Sequence, residues 1–147
     1  MKRSLPKGFK ILEIEGKWHK KWEEMGVYHF DWKDKKLPTF SIDTPPPYPS
    51  GEFHIGLVLN WTYFDMVARY KRMRGHNVYF PQGWDCHGLP TEVEVEKLHG
   101  IKKTDLPPDK FRRLCEKLVG KNIDAMKKAI TRLGCSIDWT TSLKLLM

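Results

Sequence analysis

Two short loops of this sequence carry residue types that suit the binding of a charged small molecule. The first loop, Thr44 to Gly56, reads TPPPYPSGEFHIG and contains three consecutive prolines, Pro45 to Pro47. Proline fixes φ at about −65° and lacks an amide donor, so the run presents rigid carbonyl acceptors that suit an ammonium group. Gly51 and Gly56 lack side chains and therefore let a flat or phosphorylated ligand approach the backbone.

His54 lies at the predicted N-terminus of a helix. Unpaired backbone amides give such a terminus a partial positive charge, so phosphate is its natural ligand. An imidazole at this position can donate to a phosphate oxygen and stabilise the charge that develops during phosphoryl chemistry. The alternative for the whole loop is a proline-rich turn that ends in a helix-capping histidine.

The second loop, Gly83 to Pro90, reads GWDCHGLP and places Asp85 and His87 between glycines. The Asp85 carboxylate can accept hydrogen bonds from an ammonium group, and Gly83 leaves room above the backbone. One such loop could be an ordinary turn. Two loops that both carry ligand-binding residue types favour a binding site over two unrelated turns.

Hydrophobic periodicity predicts four helices that could position these loops. The predicted bounds are Ile11 to Met25, about His54 to Arg74, Pro90 to Leu98, and Pro107–Pro108 to Leu133. We expect the apolar face of each to be buried. These faces include Ile11, Ile14, Trp18 and Trp22 on the first helix, and Ile55, Val58, Leu59, Met66, Tyr70 and Met73 on the second. On the fourth helix the predicted apolar face comprises Phe111, Leu114, Cys115, Leu118, Ile123, Met126, Ile130 and Leu133.

Two strands are predicted on either side of the second helix, at Phe40 to Thr44 and at Asn77 to Phe80. Strand, crossover helix and strand form a βαβ unit, which is parallel and right-handed almost without exception. The loops Pro45 to His54 and Gln82 to Pro90 then follow the carboxyl ends of neighbouring strands. Open α/β sheets bind ligands at that edge, so the pattern predicts one shared site.

Composition limits the class of protein. The 147 residues are 40% hydrophobic, enough for one ordinary core, and the net charge of +8 favours a polyanionic partner such as nucleic acid or nucleotide phosphate. Cys86, Cys115 and Cys135 have no CxxC spacing, so a disulfide framework is not indicated; a zinc site of Cys86 and His87 with one of the others is an alternative. No apolar run approaches the roughly 18 residues of a membrane span, so we expect a cytoplasmic protein without a membrane partner.

Both loops, together with RYKRMRG and RLGCSIDW, resemble the catalytic domain of class I aminoacyl-tRNA synthetases. Within the subgroup that charges valine, isoleucine and leucine, FSIDTPPP and GWDCHGLPTE are most similar to archaeal-type valyl enzymes. Isoleucyl enzymes, the alternative, usually have GPPYANG and LPIE at these places, so Pro45 and Thr91 favour valine. The resemblance extends from the first helix to about Trp139.

The resemblance implies an α/β fold that is the first half of a Rossmann-like parallel sheet, with an N-terminal helix and C-terminal helices. Residues 1–37 would be a helical extension, and residues 38–147 the N-terminal half of the nucleotide-binding catalytic domain, ending before an editing insertion. A lysine loop for the ATP phosphates and an anticodon-binding domain have no counterpart here, so we expect a piece of a longer enzyme. Possible protein partners are the remainder of that synthetase and a self-associated copy.

The implied reaction has two steps. The carboxylate of valine attacks the α-phosphorus of ATP, which is supplied as its Mg²⁺ complex, and the valyl group then passes to the 3′-terminal adenosine of tRNA. No protein-held metal is implied. The ATP-binding residues implied by the family signature are Pro47, Gly51, His54, Gly56, Leu57 and Asn60, with His54 as the catalytic residue. The residues implied to bind the amino-acid ammonium group are Pro46, Pro47 and Asp85.

One residue departs from the family signature His-Ile-Gly-His. Leu57 replaces the second histidine and cannot donate to a phosphate, and a missing transition-state hydrogen bond costs roughly 10²- to 10³-fold in rate. With the +8 charge, this departure supports an alternative function, a non-catalytic module that binds tRNA or a synthetase. Lys71, Arg72 and Arg74 are candidate phosphate contacts for such a module, and a solvated helix face is the other explanation of these charges.

Overall fold

The computed structural model describes residues 8, 10–49, 53–86 and 88–145. Four helices are present in this part of the chain, as predicted: α1 (Ile11–Glu24), α2 (Ile55–Met73), α3 (Leu89–His99) and α4 (Pro108–Leu133). Four strands accompany them: β1 (Thr39–Ser41), β2 (Asn77–Tyr79), β3 (Gly83–Asp85) and β4 (Leu143–Leu145). Gly100 and Gly134 end α3 and α4 because they adopt positive φ angles of 63° and 85°, which favour glycine. None of the described helices is long and apolar enough to cross a membrane.

The predicted βαβ unit is confirmed. β1 and β2 pair in parallel with Phe40 opposite Val78, and α2 forms the crossover between them. The first strand is shorter than predicted and ends at Ser41, although the Ile42 amide still donates to the Tyr79 carbonyl at 2.8 Å. The second predicted loop was wrong in one respect, because it contains β3. This strand pairs in parallel with β4, a partner about sixty residues away that local patterns do not reveal.

The core lies between α2, the strands and α4. Its buried residues form one cluster that contains Ile42, Trp61, Ala68, Val78, Phe80, Trp84, Cys86, Val119, Ile123, Met126, Ile130, Cys135 and Ile137. The predicted face of α4 is therefore largely correct, since Phe111, Ile123, Met126 and Ile130 are buried, but Leu133 is exposed. On α1, Trp22 is half-buried and Trp18 is exposed, so the predicted burial of both tryptophans is only partly correct.

The burial predicted for α2 was wrong. Its buried residues are Trp61 and Ala68, whereas Ile55, Tyr70 and Met73 on the predicted face are 82%, 54% and 79% exposed. The helix turns a mixed side towards the protein because Asp65, Arg69 and Arg72 form hydrogen bonds there. We call the exposed residues the apolar face of α2: Ile55, Leu59, Tyr63, Met66, Val67, Tyr70 and Met73.

The apolar face of α2 is expected to promote self-association of the isolated chain, because contiguous exposed apolar surface is costly in water. The variant Tyr70→Lys places a charge on this face and should shift light scattering at high protein concentration towards the monomer. Ala125→Lys adds the same charge at an exposed position on α4 and is the matched control. Equal scattering from the two variants would show that net charge, and not this face, controls association.

Candidate functional site

The proline run lies directly against β3. The Asp85 amide donates to the Pro47 carbonyl at 3.0 Å, and a Cβ atom on Gly83 would lie 3.2 Å from Cβ of Pro46. Glycine at position 83 therefore lets the prolines approach the strand. A carbonyl oxygen has two lone pairs, so Pro47 keeps the capacity to accept a ligand proton. The structure thus brings together the three residues predicted to bind an ammonium group, Pro46, Pro47 and Asp85.

His54 is the N-cap of α2. Its Nδ1 atom accepts a hydrogen bond from the Gly56 amide at 3.2 Å, and its side chain is exposed. Because Nδ1 is an acceptor, the proton of the neutral ring lies on Nε2, which is then the nitrogen that can donate to a ligand. A Cβ atom on Gly56 would lie only 3.1 Å from this ring. The two explanations offered by the sequence, helix cap and ligand donor, are therefore compatible because they use different ring nitrogens.

The other predicted ATP-binding residues lie in different surroundings. Leu57 is half-buried and packs with Phe53 against the core, so its side chain has a structural role. Asn60 is exposed on α2, close to the end that His54 caps. Gly51 lies outside the described residues. An ATP contact by any of these residues stays a prediction.

A cavity of about 450 Å³ borders the end of β3. Cys86, the residue after Asp85, lines it together with Thr91, Phe111 and Cys115. Thr91 is buried in the first turn of α3, so the residue that favours valine in the sequence faces a cavity next to the candidate ammonium site. In the described part of the chain, no group of three or more His, Cys, Asp or Glu could hold a metal ion, and His87 lies outside that part.

Comparison with known proteins identifies the family. Residues 17–147 match the family described as tRNA synthetases class I (I, L, M and V). The chain belongs to this family. The matched range includes β1 to β4 and both candidate loops, so the resemblance noted from the loop motifs is confirmed.

Similar proteins are consistent with the valyl subgroup. The chain is 57% identical over 136 residues to the valine–tRNA ligase of Methanosarcina barkeri, a match that covers 92% of this chain and 16% of that protein. It is 58% identical over 135 residues to the valine–tRNA ligase of Methanocaldococcus jannaschii, covering 92% of this chain and 15% of the relative. The chain therefore spans about one sixth of the length of these relatives.

A solved synthetase has the same fold. The LeuRS of Agrobacterium radiobacter, in a ternary complex with tRNA and LeuAMS, superposes with a TM-score of 0.78 and 28% sequence identity. The superposition covers 93% of this chain and 16% of the LeuRS chain. The predicted class I synthetase fold is thus confirmed, while the boundary predicted between residues 37 and 38 stays a prediction.

Arg72 has a structural role in this class I synthetase chain, unlike either role considered from the sequence. Its guanidinium donates to the Ser136 carbonyl at 2.9 Å, to the Ser136 hydroxyl, and to the Tyr28 carbonyl at 3.4 Å. Burial lowers the pKa of Arg72, and the nearby Asp65 carboxylate partly offsets this effect. Arg72 is therefore not part of a fully solvated face, and a phosphate contact by this residue stays a prediction. Lys71 lies 4.4 Å above the Phe40 ring, and Arg74 is exposed.

Asn122 on α4 fixes the other end of the proline loop. Its side-chain amide donates to the Pro49 carbonyl at 2.9 Å, and Pro49 is fully buried. The loop that leads to His54 is thus held by β3 at Pro47 and by α4 at Pro49. Sequence reasoning missed Asn122, because a single polar residue on a charged helix gives no signal of a long-range contact.

The cysteines are expected to react with a thiol reagent in a fixed order. Burial, reinforced by the Asp65 carboxylate, raises the pKa of Cys135 to about 12 from an ordinary value of 9.0. Burial also raises the pKa of Cys115, but this residue is only half-buried, whereas Cys86 and Cys135 are buried. At pH 8, Ellman's reagent should label Cys115 first and the other two only after unfolding, because the thiolate is the reactive form.

Replacement of Cys115 by serine is the control and should remove the fast phase of labelling.

The raised pKa of Cys135 also determines how the stability of the protein depends on pH. Above about pH 9 the unfolded Cys135 ionises while the folded thiol stays protonated, so stability should fall as pH rises from about 9 towards 12. Fast labelling of Cys135 in the folded protein at pH 8 would contradict this assignment.

Proposed function

We propose that the chain provides the ATP- and valine-binding part of a valine–tRNA ligase. The observation that carries this proposal is the contact between Pro47 and Asp85, in a segment 57% identical to a named valine–tRNA ligase. The complete reaction would form valyl-adenylate from ATP and valine and then transfer the valyl group to tRNA. We propose that reaction for a protein that also contains the parts of the relatives outside this match.

In the proposed site, valine is held by its ammonium group. The Asp85 carboxylate and the Pro46 and Pro47 carbonyls supply acceptors of fixed direction, because proline restricts the backbone. The cavity lined by Cys86, Thr91, Phe111 and Cys115 would accept the side chain of valine. We infer valine over isoleucine from Thr91 and Pro45, since the family resemblance associates these residues with valyl enzymes.

ATP, with Mg²⁺ bound to its phosphates, is proposed to lie at the N-terminus of α2. The helix dipole and the Nε2–H group of His54 favour its negative charge. Gly51 and Gly56 would allow close approach of the nucleotide, and Asn60 would contact it from the helix. Catalysis of this kind consists mainly of positioning and charge stabilisation, so no group with an unusual nucleophilicity is required.

We further propose the domain organisation and location implied by the family. Residues 1–37 are proposed to extend the nucleotide-binding half formed by residues 38–147. Three free thiols accord with a reducing, cytoplasmic location.

The alternative, a non-catalytic module that binds tRNA, is favoured by one observation. Leu57 packs against the core where the family signature has a second histidine, so this position offers no donor to a phosphate. The net charge of +8 is compatible with tRNA binding in either case. The alternative predicts salt-dependent tRNA affinity without ATP affinity.

Equilibrium binding tests the proposal directly. Calorimetric titrations should detect Mg·ATP and valine, with isoleucine binding more weakly than valine. Asp85→Asn removes the carboxylate charge with little change in size and should weaken valine binding by about 10- to 100-fold, because hydrogen bonds to charged groups contribute roughly 1.5–3 kcal/mol. ATP affinity of this variant should stay unchanged. Binding of tRNA with no detectable binding of ATP or valine would favour the alternative function.

A further inference from the structure

A buried hydrogen bond joins the helix that carries the proposed ATP site to the strand that carries the proposed ammonium site. The indole Nε1 of Trp61 on α2 donates to Oε1 of Gln82 at 2.8 Å. Both residues are almost completely buried, with exposures of 2% and 0%. Gln82 directly precedes β3, which ends at Asp85.

The second half of the Gln82 amide is also occupied. The side-chain Nε2 of Gln82 donates to the Gly83 carbonyl at 2.7 Å. The backbone carbonyl of Gln82 accepts from the Leu143 amide at 2.9 Å. Gly83 is the residue against which Pro46 packs. The Gln82 side chain is therefore fixed to β3, the strand that supports the ammonium site. Through its bond to the indole, Gln82 connects Trp61 on α2 to this strand.

Trp61 lies two helical turns after His54, so its position determines where the N-terminal end of α2 lies. The indole ring is also held by aromatic contacts, since its centroid lies 6.3 Å from the ring centroid of Phe53 and 6.1 Å from that of Phe64. Apolar contacts alone tolerate small shifts of a helix along a sheet, because many similar packings have similar energies. A single buried donor–acceptor pair has one good geometry and is costly to break, so it selects one position of the helix.

We propose that Trp61 and Gln82 are positioning residues that set the distance between the ammonium site and the phosphate site. This inference rests on the proposed function, since both sites are proposals. Formation of an adenylate requires the amino-acid carboxylate to lie close to the α-phosphorus, and a misplacement of about 1 Å can cost about 10²-fold in rate. The pair touches neither ligand and acts by fixing α2 against β3.

A purely structural explanation is that Gln82 only satisfies the indole N–H group in the core. The two explanations differ for a ligand that spans both sites. If the pair positions the sites, its removal leaves the affinity for each separate ligand unchanged but weakens a ligand in which both halves are covalently joined. If the pair is only structural, the joined ligand is affected no more than its parts.

The test uses Trp61→Phe, Gln82→Met and the double variant, with a non-hydrolysable valyl-adenylate analogue, ATP and valine as probes. Trp61→Phe leaves Gln82 Oε1 without its donor, and Gln82→Met removes the partners of both the Trp61 indole and the Gly83 carbonyl. The double variant leaves no unpaired indole but still lacks the bond to Gly83, so it should be more stable than Gln82→Met alone. In the double variant we expect ATP and valine dissociation constants within about twofold of wild type, and analogue affinity reduced about tenfold or more. Unchanged analogue affinity in the folded double variant would overturn the proposal.

A measurement on the unmodified protein complements the variants. The analogue should slow hydrogen exchange of the Trp61 indole N–H more than ATP or valine alone does, because only the joined ligand connects the two sites. The indole of Trp84, which donates to the Ser142 hydroxyl at 3.3 Å, is the internal control. Equal slowing of Trp61 by all three ligands would contradict positioning. Absence of binding by any of them overturns the proposed function together with this inference, whereas binding with no preference for Trp61 overturns the inference alone.

Discussion

Replacement of Asp65 by alanine is expected to lower the free energy of unfolding by about 3 kcal/mol. This is the largest effect on stability that we expect from a half-buried polar residue. One Asp65 oxygen accepts from the Ser136 amide at 2.6 Å, and the other accepts from Nε of Arg69 at 2.7 Å. Ser136 is fully buried, so its amide cannot bond to water once the carboxylate is removed. The half-buried Arg72 also loses the favourable charge of the Asp65 carboxylate.

Urea unfolding at pH 7, followed by circular dichroism, measures this effect. Asp124→Ala removes an exposed aspartate from α4 and should change stability by less than about 0.5 kcal/mol. Arg69→Met should cost less than Asp65→Ala, because the Arg69 side chain is 37% exposed and its ion pair is partly screened by water. If Asp65→Ala were as stable as Asp124→Ala, the segment around Ser136 would have to be held by other contacts.

The same interactions explain why the sequence predicted the presence of α2 but not its orientation. Hydrophobic periodicity finds the helix and assigns its apolar side to the core. Asp65, Arg69 and Arg72 recur at helical spacing on the other side and form specific bonds to residues 134 and 136. Charged residues on a helix normally face water. That these three face inward becomes clear only when their bonding partners, which are distant in the sequence, are known. Trp61 and Ala68, seven residues apart on the buried side, were the available signal.

The geometry of the candidate site was more predictable than its supports. The parallel βαβ unit directs the chain after β1 and the chain after β2 to the same edge, and the contact between Pro47 and Asp85 lies there, although Asp85 belongs to β3, a strand that was not predicted. Gln82 and Asn122 support the loops through contacts that reach across the fold to Trp61 and Pro49. Such contacts depend on tertiary distances, so no local spacing in the sequence predicts them.

The largest effect on ligand binding is expected from His54→Asp. Aspartate is among the best N-cap residues, so its carboxylate should replace Nδ1 as the acceptor for the Gly56 amide and preserve the helix. It also removes the Nε2–H donor and places a negative charge where we propose that phosphate binds. ATP affinity should therefore fall by about 10²-fold or more, while stability stays within about 0.5 kcal/mol of wild type.

His54→Ala separates the two roles from the other direction. Alanine can neither cap the helix nor donate, so this variant should lose about 1 kcal/mol of stability as well as ATP affinity. Fluorescence titration with Mg·ATP and thermal unfolding of the same samples distinguish these effects. If ATP did not bind beside His54, His54→Asp would bind ATP like wild type, because the new carboxylate would then lie far from the phosphates. Loss of ATP affinity in both variants, with loss of stability only in His54→Ala, is the result expected if Nδ1 caps the helix while Nε2 faces the nucleotide, because alanine removes both functions and adds no charge.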